Sequence, residues 1–347
     1  MTSARTAICM ATYEPELDLF ERQVESIRAQ TEDAFVCIVS DDASSDATYA
    51  EIEGVCARDA RFVVSRSDRR LGFYANFERA LTLVSPGIDR VALSDQDDVW
   101  YPEKLRVLGR ALDEPGVLLA YSDMRIVDRD GSPIADSYWT DRRNNHTNLG
   151  SLLLVNTVTG AASLFRRELL DLALPFPRVP GPVYHDHWLA CLALACGRIA
   201  FLPTPLHDYV QHGGNVVGRH EPMPDELRGG LVRALGRFVA APRRRARNTI
   251  RHARRYYEDD VVPRQMLAQE LERRVGGRAS AEQRAVIRRV ARLGSLGSLL
   301  WLLGRSARDV MGESETLGLE NQLVKGIVWS RLARNRIYDS TSAGAGS

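Results

Sequence analysis

Short apolar runs alternate with amphipathic stretches from the start of the chain. Residues 5–12, with Thr6-Ala-Ile-Cys-Met-Ala11 at their centre, read as a buried strand that ends at Thr12-Tyr13-Glu14-Pro15. Leu17, Phe20, Val24 and Ile27 then recur at helical spacing. Phe35–Val39 is a second strand, followed by a polar turn and a helix opening at Asp46. Arg61–Ser65 is a third strand, and a loop through Arg69-Arg70-Leu71-Gly72 precedes a helix from Phe73 to about Val84. Val91-Ala92-Leu93 is the fourth strand. Strands that are apolar throughout, separated by helices, predict a parallel, doubly wound sheet buried on both faces.

The pattern continues with a helix from Pro102, which places Leu105, Leu108 and Leu112 on one face. Val117–Ser122 is a fifth strand ending at Asp123, and Asp130-Gly131 signals a hairpin turn. Residues 137–150 are polar and irregular, suited to a mobile loop. Leu152–Val158 and Ala161–Phe165 read as strands, interrupted at Thr159-Gly160, where the glycine marks a bulge or a close backbone approach, the bulge being favoured. Pro175, Pro177, Pro180 and Pro182 stiffen a loop that delivers Tyr184-His185-Asp186-His187-Trp188 to a helix start. Trp188, Leu189, Leu192 and Cys196 line the buried side of that helix. A short strand, Ile199–Leu202, leads to Tyr209-Val-Gln-His212-Gly-Gly-Asn215, whose paired glycines suggest a loop folding over a ligand.

Two strands end in carboxylates. Asp41 and Asp42 follow the second, and Asp95, Asp97 and Asp98 follow the fourth. Ligands of open α/β sheets sit beyond the carboxyl ends of the strands, so both clusters fall where chemistry is expected. Asp95 and Asp97 flank Gln96, and residues two apart in an extended segment point the same way. Hard oxygen ligands suit Mg²⁺ or Mn²⁺, which take one or two protein carboxylates and complete their shells with water and phosphate oxygens. The plainer alternative is that these acids solvate a loop and cap the helix after Pro102. Asp186 is open to two readings as well, a helix N-cap or a general base. His185 and His187 lie two apart without further Cys or His at zinc spacing, which disfavours zinc.

Composition narrows the class. The 347 residues suffice for one large domain or two ordinary ones, and 44% hydrophobic content fits a soluble protein with a real core. No run reaches the length of a membrane-spanning helix. A strand pattern begins at once, with no leader, so a cytosolic protein is expected. The five cysteines, Cys9, Cys37, Cys56, Cys191 and Cys196, lack metal spacing and read as reduced, buried thiols. The net charge of +1 hides an asymmetry: between Glu226 and Arg336, Lys and Arg outnumber Asp and Glu roughly two to one. The chain therefore divides into residues 1–223, a basic helical region over 224–339 that Pro263 interrupts, and a small, polar, flexible tail over 340–347. The patch from Leu296 to Leu303 is too short to span a bilayer. With the basic residues it suits the inner face of an anionic membrane, or else packing on the rest of the chain with a solvated basic face, the packing being favoured. Nucleic acid is disfavoured, since no recognition motif accompanies the charge.

Together the motifs of roughly the first 220 residues resemble glycosyltransferase family 2. They are Thr12-Tyr13-Glu14-Pro15, Asp41-Asp42-Ala43-Ser44-Ser45-Asp46, Gly72 to Asn76, Asp95-Gln96-Asp97, Thr159-Gly160, His185-Asp186 and Tyr209-x-x-His212-x-x-Asn215. The resemblance implies a GT-A fold, Rossmann-like, with a mostly parallel sheet and helices on both faces, extended here by C-terminal helices. It implies an inverting transfer of a hexosyl group from a nucleotide diphosphate donor. Thr12, Tyr13, Glu14, Asp41, Asp42, Gly72, Asn76, Asp95 and Gln96 would then make the donor site, and Asp97, with Asp95 and His212, would hold Mg²⁺ or Mn²⁺. Asp186 would be the base, with Thr159, Gly160, His185 and Trp188 on the acceptor side. The combination Ser-Asp-Gln-Asp-Asp-Val-Trp, His-Asp-His-Trp and Tyr-x-x-His-x-x-Asn is similar to bacterial rhamnosyltransferase-like members. That makes dTDP-rhamnose the first candidate donor and a cell-surface glycan, lipid-linked or free, the acceptor, within cell-envelope polysaccharide biosynthesis. A nucleotidyltransferase would carry a glycine-rich basic loop where this chain has Thr-Tyr-Glu-Pro, and a non-catalytic binding relative would not require Asp97 and Asp186.

Overall fold

The computed structural model describes residues 4–139, 144–180, 184–212, 252–309, 315–316 and 318–342, with the side chains of 308–309 and 334–342 excluded. Pro182, Asn215 with its two preceding glycines, and Arg243-Arg244-Arg245 lie outside the described residues.

The first strands and helices form as their patterns predict: β1 Thr6–Thr12, α1 Leu17–Arg28, β2 Phe35–Asp41, α2 Asp46–Cys56, β3 Phe62–Arg66, α3 Phe73–Thr82, β4 Arg90–Ser94 and α4 Lys104–Leu112. Between β4 and α4 lies a short strand that the pattern does not reveal, β5 Val99–Trp100. Strands β3, β2, β1 and β4 lie side by side, all parallel. Their side chains alternate between two cores. Ala7, Cys9 and Leu93 face α3, while Ile8, Met10, Val39 and Ala92 face α1, α2 and α4. Helices thus cover both faces.

Beyond β4 the sheet departs from a purely parallel arrangement. β8 Ser163–Arg166 enters between β4 and β6, antiparallel to both. β6 Val117–Asp128 is twice as long as its apolar core suggests, because irregularities around Ser122 and Asp123 carry it on. It carries the small strand β7 Pro133–Ala135 and pairs in parallel with β9 Arg198–Gln211, far longer than the run Ile199–Leu202. β9 ends antiparallel to β5, with Val99 opposite Asp208 and Trp100 opposite His207. That pairing carries the end of β9 back across the acid motif.

Leu152–Val158 does not form a strand. Asn148 accepts a hydrogen bond from the Ser151 amide and caps a short helix, α5 Leu149–Leu152, after which the chain runs as a loop. Leu152, Leu153 and Leu154 are buried from every side, so their unbroken apolar run carried no period to separate strand from helix. The segment from Asn144 is tied down rather than loose: Asn144 accepts hydrogen bonds from Tyr121 and Thr157, and the Asn145 amide group donates to Val155 O.

Past η-type turns at Gly160–Ala162 and Arg167–Leu169 come α6 Leu170–Ala173 and α7 His185–Cys196. A π-helical turn, Tyr256–Val261, runs into α8 Val262–Val275, so Pro263 sits in the first helical turn, where its missing N–H is tolerated, instead of breaking the helix. α9 Ala281–Ala291, α10 Leu296–Asp309 and α11 Leu319–Ser342 follow. α11 extends into the first residues of the expected tail. These C-terminal helices share one hydrophobic core with α7: Leu267, Leu271, Ile287, Val290 and Leu323 join Leu189 and Leu192. Arg264, Arg274 and Gln283 donate to the carbonyls of Leu154, Ala173 and Leu194. All five cysteines are unpaired and four are buried. No helix among the described residues is long and apolar enough to cross a membrane.

Candidate functional site

The C-terminal ends of β1, β2 and β4 form one rim, and hydrogen bonds hold it in shape. Gln96 reaches back to β1: its Oε1 accepts from Thr12 Oγ1 at 2.8 Å and from the Tyr13 amide at 2.9 Å. Asn76, from α3, donates to Ser40 O at 2.8 Å and Thr12 O at 3.3 Å and accepts from Ser40 Oγ at 2.7 Å, bracing β1 against β2. Asp41 accepts from the amide and hydroxyl of Ser44, at 3.0 and 2.5 Å, and closes its own turn. Asp42 accepts from the amides of Leu71 and Gly72 at 2.6 and 2.8 Å and pins the loop before α3. That loop turns at Gly72, whose φ of 86° suits glycine.

Thr12, Asp41, Asp42 and Asn76 are therefore buried and already partnered by protein. They shape the rim from behind. Glu14 caps the start of α2, accepting from the Ser45 amide at 2.6 Å and from Thr48 Oγ1 at 2.8 Å, contacts that hold its carboxyl below the usual range. Glu14 and Ala43 have φ of 38° and 61°, the non-glycine residues with positive φ among those described, and both border this rim. Such strain concentrates where the surroundings over-determine a functional shape. The exposed Arg70 guanidinium lies 4.1 Å from the Tyr13 ring centroid. Sequence reasoning placed Arg70 in the loop and gave it no role; its pairing with Tyr13 becomes visible only in three dimensions.

The acid motif forms the floor. The chain bends at Gln96–Asp97 instead of running extended. Asp95 nevertheless stays close to its neighbours: burial, then the charges of Asp97 and Asp186, push its carboxyl up to about 7. His212 joins from the end of β9. Its Nε2 lies 2.7 Å from Asp97 Oδ2 and its Nδ1 3.1 Å from Glu16 Oε1, so both ring nitrogens face carboxylates. Glu16 was not singled out from the sequence; the fold alone brings it there.

Asp98 differs from its neighbours. It is fully buried, with His207 Nε2 3.8 Å away. Burial pushes the Asp98 carboxyl well up and the His207 imidazole well down, which disfavours the charged form of each. Lys104, the first residue of α4, is also fully buried. Burial brings its ammonium down to about 7, partly offset by Asp98 and Asp95.

Asp97 and His212 can hold a divalent cation. Octahedral bonds of about 2.1 Å set adjacent ligand atoms about 3 Å apart, close to the 2.7 Å between Asp97 Oδ2 and His212 Nε2. Among the described residues no three metal-ligating side chains converge. The donor set thus suits an ion that draws its remaining ligands from a diphosphate and water, and does not suit a closed structural site.

Across from this floor, the first turn of α7 carries Asp186. Its Oδ1 accepts from the His187 amide at 2.6 Å and from Asn156 Nδ2 at 3.0 Å; its Oδ2 accepts from the Gly160 amide at 3.2 Å. Burial outweighs these hydrogen bonds and raises the carboxyl to about 6. Asn156, which sequence reasoning did not single out, orients the carboxylate together with Gly160. Gly160 is not in a strand bulge. It opens a tight turn, and a Cβ there would lie 2.9 Å from His185 Nε2 and 3.2 Å from Asp186 Cβ. The close approach is to protein.

Two acceptor-side expectations are corrected. Trp188 is fully buried, donating to Ala173 O at 3.0 Å, and cannot touch an acceptor. His185 is buried and stacked on Phe77, 3.8 Å between ring centroids, with its imidazole pushed down to about 3. His187 Nε2 meets Leu152 O at 2.7 Å, and burial lowers it to about 4. These histidines are neutral packing groups with no shared metal geometry. Thr159 stays partly exposed beside Gly160.

Residues 7–172 match the Glycosyl transferase family 2 model. An uncharacterized glycosyltransferase of Nostoc sp. is 27% identical over 206 residues, 56% of this chain and 61% of that relative, so the match spans less than two thirds of the relative's length. Among solved structures, S. aureus TarS in complex with UDP-GlcNAc is similar with a TM-score of 0.50 and 17% identity, covering 90% of each chain. A likeness at that identity speaks for the fold, an α/β sheet of GT-A type followed by helices. Over residues 7–172, just under half of the chain, the sequence is thus similar to the glycosyl transferase family 2 domain.

Proposed function

We propose that the protein is an inverting glycosyltransferase that moves a sugar from a nucleotide diphosphate donor to an acceptor hydroxyl. The observation that carries this reading is the Asp186 carboxylate. It is oriented by three N–H donors, raised to about 6, and close enough to the acid motif for Asp95 to feel its charge. A base with that pKa is ionised at neutral pH yet takes a proton more readily than an ordinary carboxylate. Asp186 would receive the acceptor hydroxyl's proton at Oδ2, where the structure gives one protein donor against two at Oδ1.

Asp97 and His212, with Asp95 beside them, would hold Mg²⁺ or Mn²⁺. When bound, the ion neutralises charge on the diphosphate leaving group. Tyr13 and Arg70 would face the nucleotide, on a rim that Thr12, Glu14, Asp41, Asp42, Gly72, Asn76 and Gln96 keep in shape. The motif combination keeps dTDP-rhamnose as first candidate donor, and Thr159 remains on the acceptor side.

A membrane-borne acceptor would account for the outer surface of α10. Its outward stripe, Leu296, Gly297, Leu300, Gly304 and Ala307, bears no charge, with Leu296 63% and Leu300 62% exposed. Val328 and Leu332 on α11 are exposed too, and Arg331 donates to Gly294 O, bringing the two helices together. Exposed Arg289, Arg292 and Arg331 accompany this apolar surface. Apolar insertion with flanking arginines suits the anionic inner face of a membrane. Across a two-fold dimer the same arginines would repel.

A melting-temperature panel of nucleoside diphosphates and nucleotide sugars, with and without Mn²⁺, tests the donor assignment. A ligand at 100 times its Kd stabilises the native state by about 2.7 kcal/mol. A Mn²⁺-dependent rise with one nucleotide class supports the reading; no response to any of them contradicts it.

A further inference from the structure

We propose that Lys104 is a positioning residue for the transfer step: sealed behind the acid motif, it fixes the turn whose Gly160 amide holds the Asp186 carboxylate. The inference rests on the reading of Asp186 as the base.

A fully buried lysine needs a reason, since taking an ammonium out of water costs several kcal/mol. Local structure supplies none. Lys104 opens α4, and a cation at a helix N-terminus opposes the helix dipole. Its tertiary contacts are specific. Nζ donates to Ala161 O at 2.5 Å and lies 3.9 Å from the Trp100 ring centroid. Asp98 and Asp95 add longer-range attraction, and no carboxylate oxygen among the described residues forms an ion pair with it.

Ala161 is the middle residue of the Gly160–Ala162 turn. Within the turn, the Ala162 amide donates to Thr159 O at 3.2 Å and Ser163 Oγ to Gly160 O at 2.7 Å, which leaves Ala161 O to Lys104. One residue back, the Gly160 amide donates to Asp186 Oδ2. The path from Lys104 to the base is thus two hydrogen bonds joined by a single peptide unit. There is no room for a Cβ at Gly160 beside His185 and Asp186, so the turn and the base are packed together. Lys104 thereby ties the donor-side floor to the base, and both must be in register for in-line transfer.

A lysine that merely offset the acid cluster would instead serve metal and nucleotide affinity. A double-mutant cycle separates the two roles. Wild type, Lys104→Met, Asp186→Asn and the double variant are compared at saturating Mn²⁺ for nucleoside diphosphate release from the UDP- or dTDP-sugar that the melting panel selects. Nucleoside diphosphate affinity is measured by calorimetry. Lys104→Met should lower kcat roughly 10- to 100-fold, with donor KM and nucleotide Kd within about twofold. In the Asp186→Asn background it should cost no more than about twofold. An equal loss in both backgrounds, or a loss confined to KM and Kd, overturns the proposal. Asp186→Asn turning over at the wild-type rate would instead refute the base reading, a separate result. Should Lys104→Met fail to fold, Lys104→Gln, which keeps an N–H donor for Ala161 O without the charge, should hold kcat, KM and Kd close to wild type; a large loss in any of them overturns the proposal.

Discussion

Replacing Asp186 by Asn removes the proton acceptor while changing the shape of the side chain very little. An amide nitrogen cannot accept a hydrogen bond, so it will occupy the position with fewer donors, Oδ2, and give up the bond from the Gly160 amide while Oδ1 keeps the His187 and Asn156 bonds. Losing that one bond costs about 1–3 kcal/mol of stability, so the variant should fold. Losing a positioned base costs about 10²–10⁴ in rate, or about 3–5 kcal/mol of activation free energy. Donor affinity should be unchanged.

The pH dependence is a second signature of the same group. Asp186 must be ionised to accept a proton, so with saturating Mn²⁺ kcat should climb as pH rises through about 6 and then level off. Stability runs the other way. The folded pKa lies above the ordinary value of 3.8, so this group's contribution to stability is fully present below 3.8 and is lost as pH rises through about 6. Asp186→Asn removes both dependences. Single-turnover nucleotide release and thermal melts, each across pH 4–8 or so, measure them. Wild-type turnover by the variant, or an acid limb near 6 that survives the substitution, refutes the reasoning.

Asp97→Ala should abolish the Mn²⁺-dependent part of nucleotide binding in calorimetry while the melting temperature without ligand stays close to wild type, since Asp97 is on the rim and not in the core. Gly160→Ala forces a Cβ within 2.9 Å of His185 Nε2 and 3.2 Å of Asp186 Cβ; it should cost about 1–3 kcal/mol in a denaturant melt and lower kcat more than KM. Leu300→Glu puts a charge on the outward stripe of α10 and should abolish flotation with anionic liposomes at low salt without loss of turnover on a soluble acceptor; equal flotation by both proteins would rule out that surface.

Much of the catalytic half was legible from pattern alone. The strand ends at Asp41 and Ser94 are where apolar runs meet acids, and the alternation of strand and helix predicts α1 to α4 correctly. The resemblance carried the next step, assigning roles to residues such as Asp97 and Asp186 that spacing alone left open. What escaped has a common cause: it depends on which chain segment packs beside which. Leu152–Leu154 read as strand because total burial removes any period. The antiparallel entry of β8 and the length of β9 follow from pairing partners far away in sequence, and that pairing brings His207 to Asp98 and His212 to Asp97. Trp188 and His185 sit beside Asp186 in sequence yet belong to the core, because a helix turns adjacent residues to different faces. Lys104 drew no reading from the sequence; only the fold seals it in.

On the proposed function, a divalent ion at the acid motif holds the donor's diphosphate within reach of Asp186. Anomalous diffraction from crystals soaked with Mn²⁺ and the nucleoside diphosphate that the melting panel selects tests it most directly. A manganese peak is expected within about 2.2 Å of Asp97, with a diphosphate oxygen as a further ligand. A peak away from Asp97, or a diphosphate bound elsewhere on the sheet, would contradict it.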